Sequence, residues 1–425
     1  MDRRARELIE QGDKLWTARR QLEALWQETA ENFYPQRSDF TRTVYLGEDL
    51  ASGLYTSYPL LVCRDLSASL RTMLQPNDRD WFYLKGRGED VDEDDEGDRQ
   101  WLEDKTQVQK RLMVEDPRAG FQQAMTELFG DFSAFGQGVV EVKLGFMRTH
   151  IKLKPWHLRD VVWCEDVDRN IVVVHRKQCI TARDMVKLFP DTVHEVVRTA
   201  AERDPYREFK CRHIKIHADD YDMGKKARKD MPWVSLWIDC DNQKVLEEMA
   251  VRHKGYVIPR WQLMSGSQYA FSPAVIAALP EGRMIQAQAA VLLDAGEKAA
   301  APPMVAYKEA IRGDIALYAN GVTYVDRDYD EKGGDPLRPL KNDTAGLSFG
   351  LELIRDSRAI LMDAFYLNKL KMPQMGENPN MTAFEAGQRV QRLAEVDVLP
   401  AGARPQHAEV RVDQRAHQRH HAAED

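Results

Sequence analysis

The feature that most constrains this chain is the segregation of its hydrophobic patterns. Six runs of alternating or β-branched residues fall in one stretch, Val139 to about Val251, and helical periodicity dominates on either side. The runs are VVEVKL, THIKLKP, DVVWCE, IVVVHRK, FKCRHIKIHA and WVSLWID, separated by charged turns. One helix, about Thr181 to Leu188, is the expected interruption. Strands gathered in this way pair with one another while helices cover them from both ends of the chain, so the expectation is an α+β fold.

Before the strands, Leu8, Leu15, Leu22, Leu25, Trp26 and Phe33 return to one face of a helix over residues 5–33, which Pro35 ends. A second helical stretch is expected from about Asp49 to Leu74, stopping at the turn residues Pro76 and Asn77, and WFYL then reads as a short aromatic strand. Helices are expected at about 98–112 and 121–132. After the strands, Met284, Ile285, Val291, Leu292, Ala295 and Ala299 repeat at near-heptad intervals, and Leu353, Ile354, Ile360, Leu361, Ala364 and Phe365 form one stripe of a helix over about 347–370. Between these two helices a Gly/Pro/Asp-rich stretch, with MVAY and GVTYVD, predicts a small β-containing excursion. KMPQMGENPN forms a turn-rich segment, MTAFEAGQRVQRLAE another helix, and residues 397–425, rich in Ala, Arg and His, a disordered tail.

Composition excludes several classes of function. With 425 residues, 43% of them hydrophobic, the chain can bury a substantial core. No apolar run reaches the roughly 18 to 20 residues of a membrane helix, and the charged start MDRRARELIEQGDKLW lacks a signal core. The five cysteines are scattered and suit reduced thiols. A net charge of −8 argues against gripping nucleic acid over a broad basic face, although an acidic wall permits a duplex to slide past.

Candidate chemistry is sparse. No G-x-x-x-x-G-K-[ST] loop is present, and FGQGVVEV leads into a strand, so Gly136 and Gly138 read as a helix-to-strand turn. Cys211, His213 and His217 lie on an expected strand, where residues four apart stand roughly 13 Å from each other, too far to share a metal ion. MSGSQY lacks the spacing of a nucleophile elbow. GEDVDEDDEGD, residues 88–98, reads as a solvated acidic loop; the alternative, a two-metal nuclease site, needs carboxylates fixed on ordered elements. No catalytic residue, metal or cofactor is assigned.

In order along the chain, ALWQETAENFYPQRSDF, LSASLRTMLQPNDRDWFYL, LFGDFSAFGQGVVEV and RWQLMSGSQYAFSPAVIAALPEGRMIQAQAAVLLDAGEKAAAPPMV resemble the head-to-tail connector (portal) family of short-tailed phages, over about residues 6–396. The second of these is the most specific. One departure is Ala270 and Phe271 after Tyr269, where the family often has glycine.

The resemblance implies N-terminal helices and an α/β wing over 1–270, a first stem helix over 271–302, a clip over 303–346 and a second stem helix over 347–370. It further implies a channel loop over 371–381, a helix returning to the wing over 382–396, and an atypical tail beyond. By the same resemblance the chain assembles into a dodecameric ring at the capsid vertex of a virion made in the bacterial cytoplasm. Its implied partners are itself, capsid and scaffolding proteins, terminase, tail adaptors and passing double-stranded DNA, with no membrane. Lys369, Lys371, Gln374 and Asn378 are then candidates for the DNA channel, and Ile285, Leu292, Ile354, Ile360 and Leu361 for packing between subunits. The family normally continues with further helices where this sequence turns to Arg/His/Ala. The expectation there is an out-of-frame ending in a prophage copy, and a non-assembling remnant stands beside the nuclease as an alternative.

Overall fold

The computed structural model describes residues 2–76, 80–85, 96–145, 150–221, 231–302, 304–306, 337–339 and 345–370. Helix α1, Arg3–Phe33, is capped by Asp2, whose carboxylate accepts the Arg4 N–H at 3.0 Å, and ends at Tyr34 because the following Pro35 disfavours helical geometry in the residue before it. Its buried face starts at Ala5 and Leu8 and runs through Trp16 and Trp26 to Phe33.

Helix α2 is Tyr58–Leu74, shorter at its start than the sequence suggested. Residues 49–57 form turns: Asp49 Oδ1 accepts the Ala51 N–H at 3.0 Å, and Pro59 takes a first-turn position where no N–H is needed. WFYL, expected as a strand, joins no sheet. Leu84 N–H goes to Thr106 Oγ1 at 3.0 Å in place of a strand partner, and Trp81 stacks on Phe121. Helices α3, Glu96–Lys110, and α4, Phe121–Phe135, follow, with a π-turn over Arg111–Glu115 and a 3-10 turn over Pro117–Ala119 between them.

Gly136 ends α4 at φ 79°, and a Cβ there would lie 2.6 Å from the backbone of Phe271 and Ser272, so only glycine fits the turn into β1, Val139–Leu144. The strands of the two main sheets continue with β2 Ile151–Trp156, β3 Val161–Glu165, β4 Ile171–Thr181, β5 Glu208–His217, β6 Trp233–Asp239, β7 Lys244–Val251 and β8 Tyr256–Val257. β3 to β7 make an antiparallel meander in chain order, and a smaller sheet runs β2-β1-β8. Several elements go beyond the sequence reading, among them β7, α6 and the short β8. Edge strand β7 carries Glu247 and Glu248 and holds by its ladder to β6, and a helix α6, Glu195–Arg203, follows the expected α5, Ala182–Leu188, burying only Val197 and Ala200.

Two short strands, β9 Gln262–Leu263 and β10 Ala270–Phe271, pair beside this body. Ala270 needs no glycine geometry: it is buried in β10 with its N–H donated to Gln137 Oε1 at 2.9 Å. A π-turn, Ala274–Ala278, then leads into α7, Leu279–Ala300. Strands β11, Met304–Ala306, and β12, Leu337–Pro339, pair antiparallel, so the excursion between the long helices does contain β structure. Helix α8, Ala345–Ala364, is separated from α9, Leu367–Leu370, by Tyr366 at φ 57°, which interrupts the single helix expected to residue 370. The expected turn-rich segment, helix and tail after residue 370 lie outside the described residues, as does most of the acidic run.

One large core joins α1, α2, α4, the smaller sheet, β3 and the α7/α8 pair. Trp26, fully buried, sits at its centre against Phe40, Phe135 and Tyr269. A second core places Ala5 and Leu8 of α1 on Val173, Ile214 and Leu236 of the five-stranded sheet. The close seat there depends on Gly12, where a Cβ would come within 2.7 Å of Arg212 and 2.8 Å of His175.

Candidate ring-forming surfaces

The α7/α8 pair is the element that the sequence marks for packing, and its attachment to the body is specific. Ser272 sets the start of α7: its hydroxyl donates to Ala134 O at 2.7 Å and accepts the Val275 N–H at 3.2 Å. Gly282 lets α7 lie against the Phe33 ring, where a Cβ would approach to 2.9 Å, and Phe33 meets Phe365, in the turn after α8, with ring centroids 5.4 Å apart. Arg283 Nη2 donates to Glu28 Oε2 at 2.7 Å, and this hydrogen bond holds the Glu28 carboxyl below its ordinary pKa. Gln286 binds the loop before α2, accepting from the N–H of Tyr55 at 2.8 Å and of Thr56 at 3.0 Å and donating to Thr56 O at 2.8 Å.

The five packing candidates divide by where this attachment puts them. Ile285, Ile354 and Leu361 are buried in the core of their own chain, and Leu292 is partly buried against Gly350 of α8. Within one subunit they hold α7 to α8 and to the body. Ile360 alone of the five faces outward, with 47% of its surface exposed. It is accompanied by Val291 of the expected α7 repeat and by three residues outside the predicted stripes, Leu293 on α7 and Phe349 and Leu351 on α8, all four more than half exposed.

The signal for these was present in Val291-Leu292-Leu293. Successive helical residues point about 100° apart, so three apolar residues in a row cannot all face one partner. Of the channel candidates, Lys369 lies on α9 with its side chain outside the described set, and Lys371, Gln374 and Asn378 are outside the described residues altogether.

The residues weighed for chemistry have structural partners. His213 Nδ1 lies 2.7 Å from Tyr256 Oη and its Nε2 3.1 Å from Ser235 Oγ, with the ring stacked on Trp237. Burial pushes its pKa well down. Cys211 is buried with its thiol against Met185 Sδ, and burial pushes its pKa up. His217 stands edge-on to Trp233 at the end of β5. Among the described residues no group of three or more His, Cys, Asp or Glu could hold a metal ion, and no helix is long and apolar enough to cross a membrane.

These features define a class: an α+β subunit with a pair of long helices whose outward apolar side chains stay exposed among the described residues. The chain belongs to the family described as "Bacteriophage head to tail connecting protein", whose model matches residues 5–394. It is 24% identical over 392 residues to a "Probable portal protein" of Bordetella phage BPP-1, covering 90% of this chain and 68% of that one. To the "Portal protein" of Salmonella phage epsilon15 it is 24% identical over 373 residues, covering 86% of this chain and 66% of the relative. The chain thus spans about two thirds of the length of either protein. A solved structure described as "Neck of empty GTA particle computed with C6 symmetry" aligns over 86% of this chain and 81% of its own at 12% identity, with a TM-score of 0.31.

Proposed function

We propose that this chain is a portal subunit: a structural component of the phage virion that forms a ring at the capsid vertex and gives DNA its passage during packaging and ejection. The observation that carries the reading is the family match from residue 5 to 394, which takes in both long helices and the excursion between them. The geometry supports it physically. A head-to-tail contact repeated around a closed ring would cover the outward side chains of α7 and α8, which no described element of the same chain covers.

In this reading the ring is dodecameric, residues 303–346 form the clip that receives terminase and later the tail adaptors, residues 1–270 form the wing, and capsid and scaffolding proteins are further partners. Lys369, Lys371, Gln374 and Asn378 line the channel and touch phosphates without reading bases. The chain does no catalysis in it, and the nuclease alternative gains no support from a family of connectors.

Light scattering with negative-stain microscopy of the purified chain tests the proposal. Closed rings with a central channel are the expected result. A folded monomer that stays monomeric in the presence of its scaffolding protein would overturn it in favour of a non-assembling remnant.

A further inference from the structure

Where the smaller sheet meets the five-stranded one, the interface ends in a set of cations with too few carboxylates. Lys143 and Lys152 are direct cross-strand partners on β1 and β2, an arrangement that costs stability when nothing neutralises it. One step along the same face Lys154 opposes Glu141, and Lys154 Nζ lies 4.1 Å over the Trp156 ring. The facing sheet brings Arg176 and Lys215, and Lys254 stands just before β8, whose neighbour Gly255 accepts the Val142 N–H at 2.8 Å.

Glu141 is already engaged. It accepts the Trp156 indole N–H at 3.0 Å and lies 3.8 Å from Arg176 and 3.7 Å from Lys143. Glu247 also acts on Lys215, so among the described residues the carboxylates acting on Lys154 and Lys215 are Glu141 and Glu247. Lys152 Nζ donates to Arg118 O at 3.0 Å, whereas Lys154, Lys215 and Lys254 are partly buried without an ion pair among the described residues. Burial pulls all three ammonium pKa values down, that of Lys215 to about 8. Cations held this way favour an anionic partner that shares their desolvation.

The same chain carries the complement. Residues 89–104 hold ten acidic residues and one arginine, and Glu96, Glu103 and Asp104 project from the first turns of α3 into solvent. The lysines lie beside the turn that follows the other end of α3, where Lys152 meets Arg118. The helix separates its two ends by about 21 Å, and among the described residues none of Lys154, Lys215 and Lys254 pairs with these acids.

A heterologous contact joins two different patches of one chain, copy to copy. We infer that Lys143, Lys152, Lys154, Lys215 and Lys254 dock the acidic start of α3, with Glu96, Asp98, Glu103 and Asp104, of a second copy of this chain. The inference rests on the ring reading and adds to it the pair of surfaces that fixes which neighbour sits on which side. Charge pairing of this kind sets register and partner orientation more than affinity.

Two charge-reversed chains test it. One carries Lys143→Glu, Lys152→Glu and Lys254→Glu; the other carries Glu96→Lys, Asp98→Lys, Glu103→Lys and Asp104→Lys. Each alone sets like charges against like at every contact, and the protein concentration for half assembly rises more than about tenfold. Mixed in equal amounts, they assemble again as alternating rings, because each reversed patch then meets its opposite.

Melting curves by circular dichroism establish that the separate chains are folded. Should the lysine reversal unfold the chain, Lys→Gln at the same positions replaces it, with the weaker expectation that assembly loses its salt dependence. The inference is overturned if either reversed chain assembles like the unaltered one. It is also overturned if the mixture fails, whether or not both reversals in one chain restore assembly, since rescue only within one chain would make the contact internal. Absence of rings from the unaltered chain would count against the ring reading itself.

Discussion

Ile360 and Leu361 are neighbours in sequence with opposite surroundings, and the substitution of each by aspartate separates assembly from folding. Leu361 is fully buried in the core that holds α8 to the body. Removing such a side chain costs about 2–5 kcal/mol through lost burial and the cavity left behind, and an unpaired carboxylate in its place adds a desolvation cost of several more. Leu361→Asp is therefore expected to unfold the subunit.

Ile360 keeps 47% of its surface in water within the single chain. Complete burial of an isoleucine contributes about 1.5–3 kcal/mol, so covering the exposed half in a ring supplies roughly 1 kcal/mol per contact. A buried carboxylate reverses that gain and adds several kcal/mol against assembly at each contact. For the free monomer, a surface change of this kind stays within about 0.5 kcal/mol. The expected result for Ile360→Asp is an unchanged melting curve together with loss of rings by light scattering and negative-stain microscopy. Intact rings from Ile360→Asp would refute the assignment of this face to subunit packing, and a lowered melting temperature would refute the division between inner and outer faces of α8.

Three further outcomes are expected. Gly136→Ala forces a Cβ to within 2.6 Å of the Phe271 and Ser272 backbone at φ 79° and should lower stability by about 2–4 kcal/mol in urea titration, from left-handed strain plus overpacking. Phe365→Ala removes a fully buried ring from Phe33, costs about 3–5 kcal/mol, and should make α8 the first site of limited proteolysis. His175 is buried beside Arg212 with its pKa pushed from the usual 6.5 to about 3, mainly by burial and then by the nearby guanidinium. The unfolded chain therefore binds the extra proton between those values, so stability present above pH 6.5 is lost as pH falls toward 3, by up to about 1.4 kcal/mol per pH unit. His175→Phe should flatten the stability slope between pH 6 and 4 relative to the unaltered chain, as read from urea midpoints at each pH.

Periodicity reported the elements whose burial is regular. α1 and α4 bury a helical face, and β1 to β6, though buried in blocks rather than in strict alternation, were legible from their β-branched composition between charged turns. It misled where partners are nonlocal. WFYL has strand composition but finds Phe121 and Thr106 in place of a ladder, and KVLEEMAV has two central glutamates but is held as β7 by β6 alone. α6 buries two residues, too few for a stripe to stand out.

The candidate surface was half legible for a related reason. A stripe on a helix identifies that it packs, and Ile285, Ile354, Ile360 and Leu361 were all found this way, but periodicity carries no information on whether the partner belongs to the same chain. That distinction required the exposure of each side chain in the folded subunit. The lysine set was invisible in sequence because its members come from strands far apart in the chain and meet only through the register of β1 with β2 and the facing of two sheets.

Helix α1 reaches from Ala5 and Leu8 on the five-stranded sheet to Phe33 against Phe365 and Gly282, with no break in 31 residues. Such a rod is about 46 Å long, and pivoting it by about 5° at the sheet sweeps its far end through about 4 Å. A torque applied to the sheet is thus delivered at leverage to the root of α7 and α8. Sheet and helix pair share one mechanical coordinate, and a load arriving at either is felt at the other without any loop between them having to transmit it.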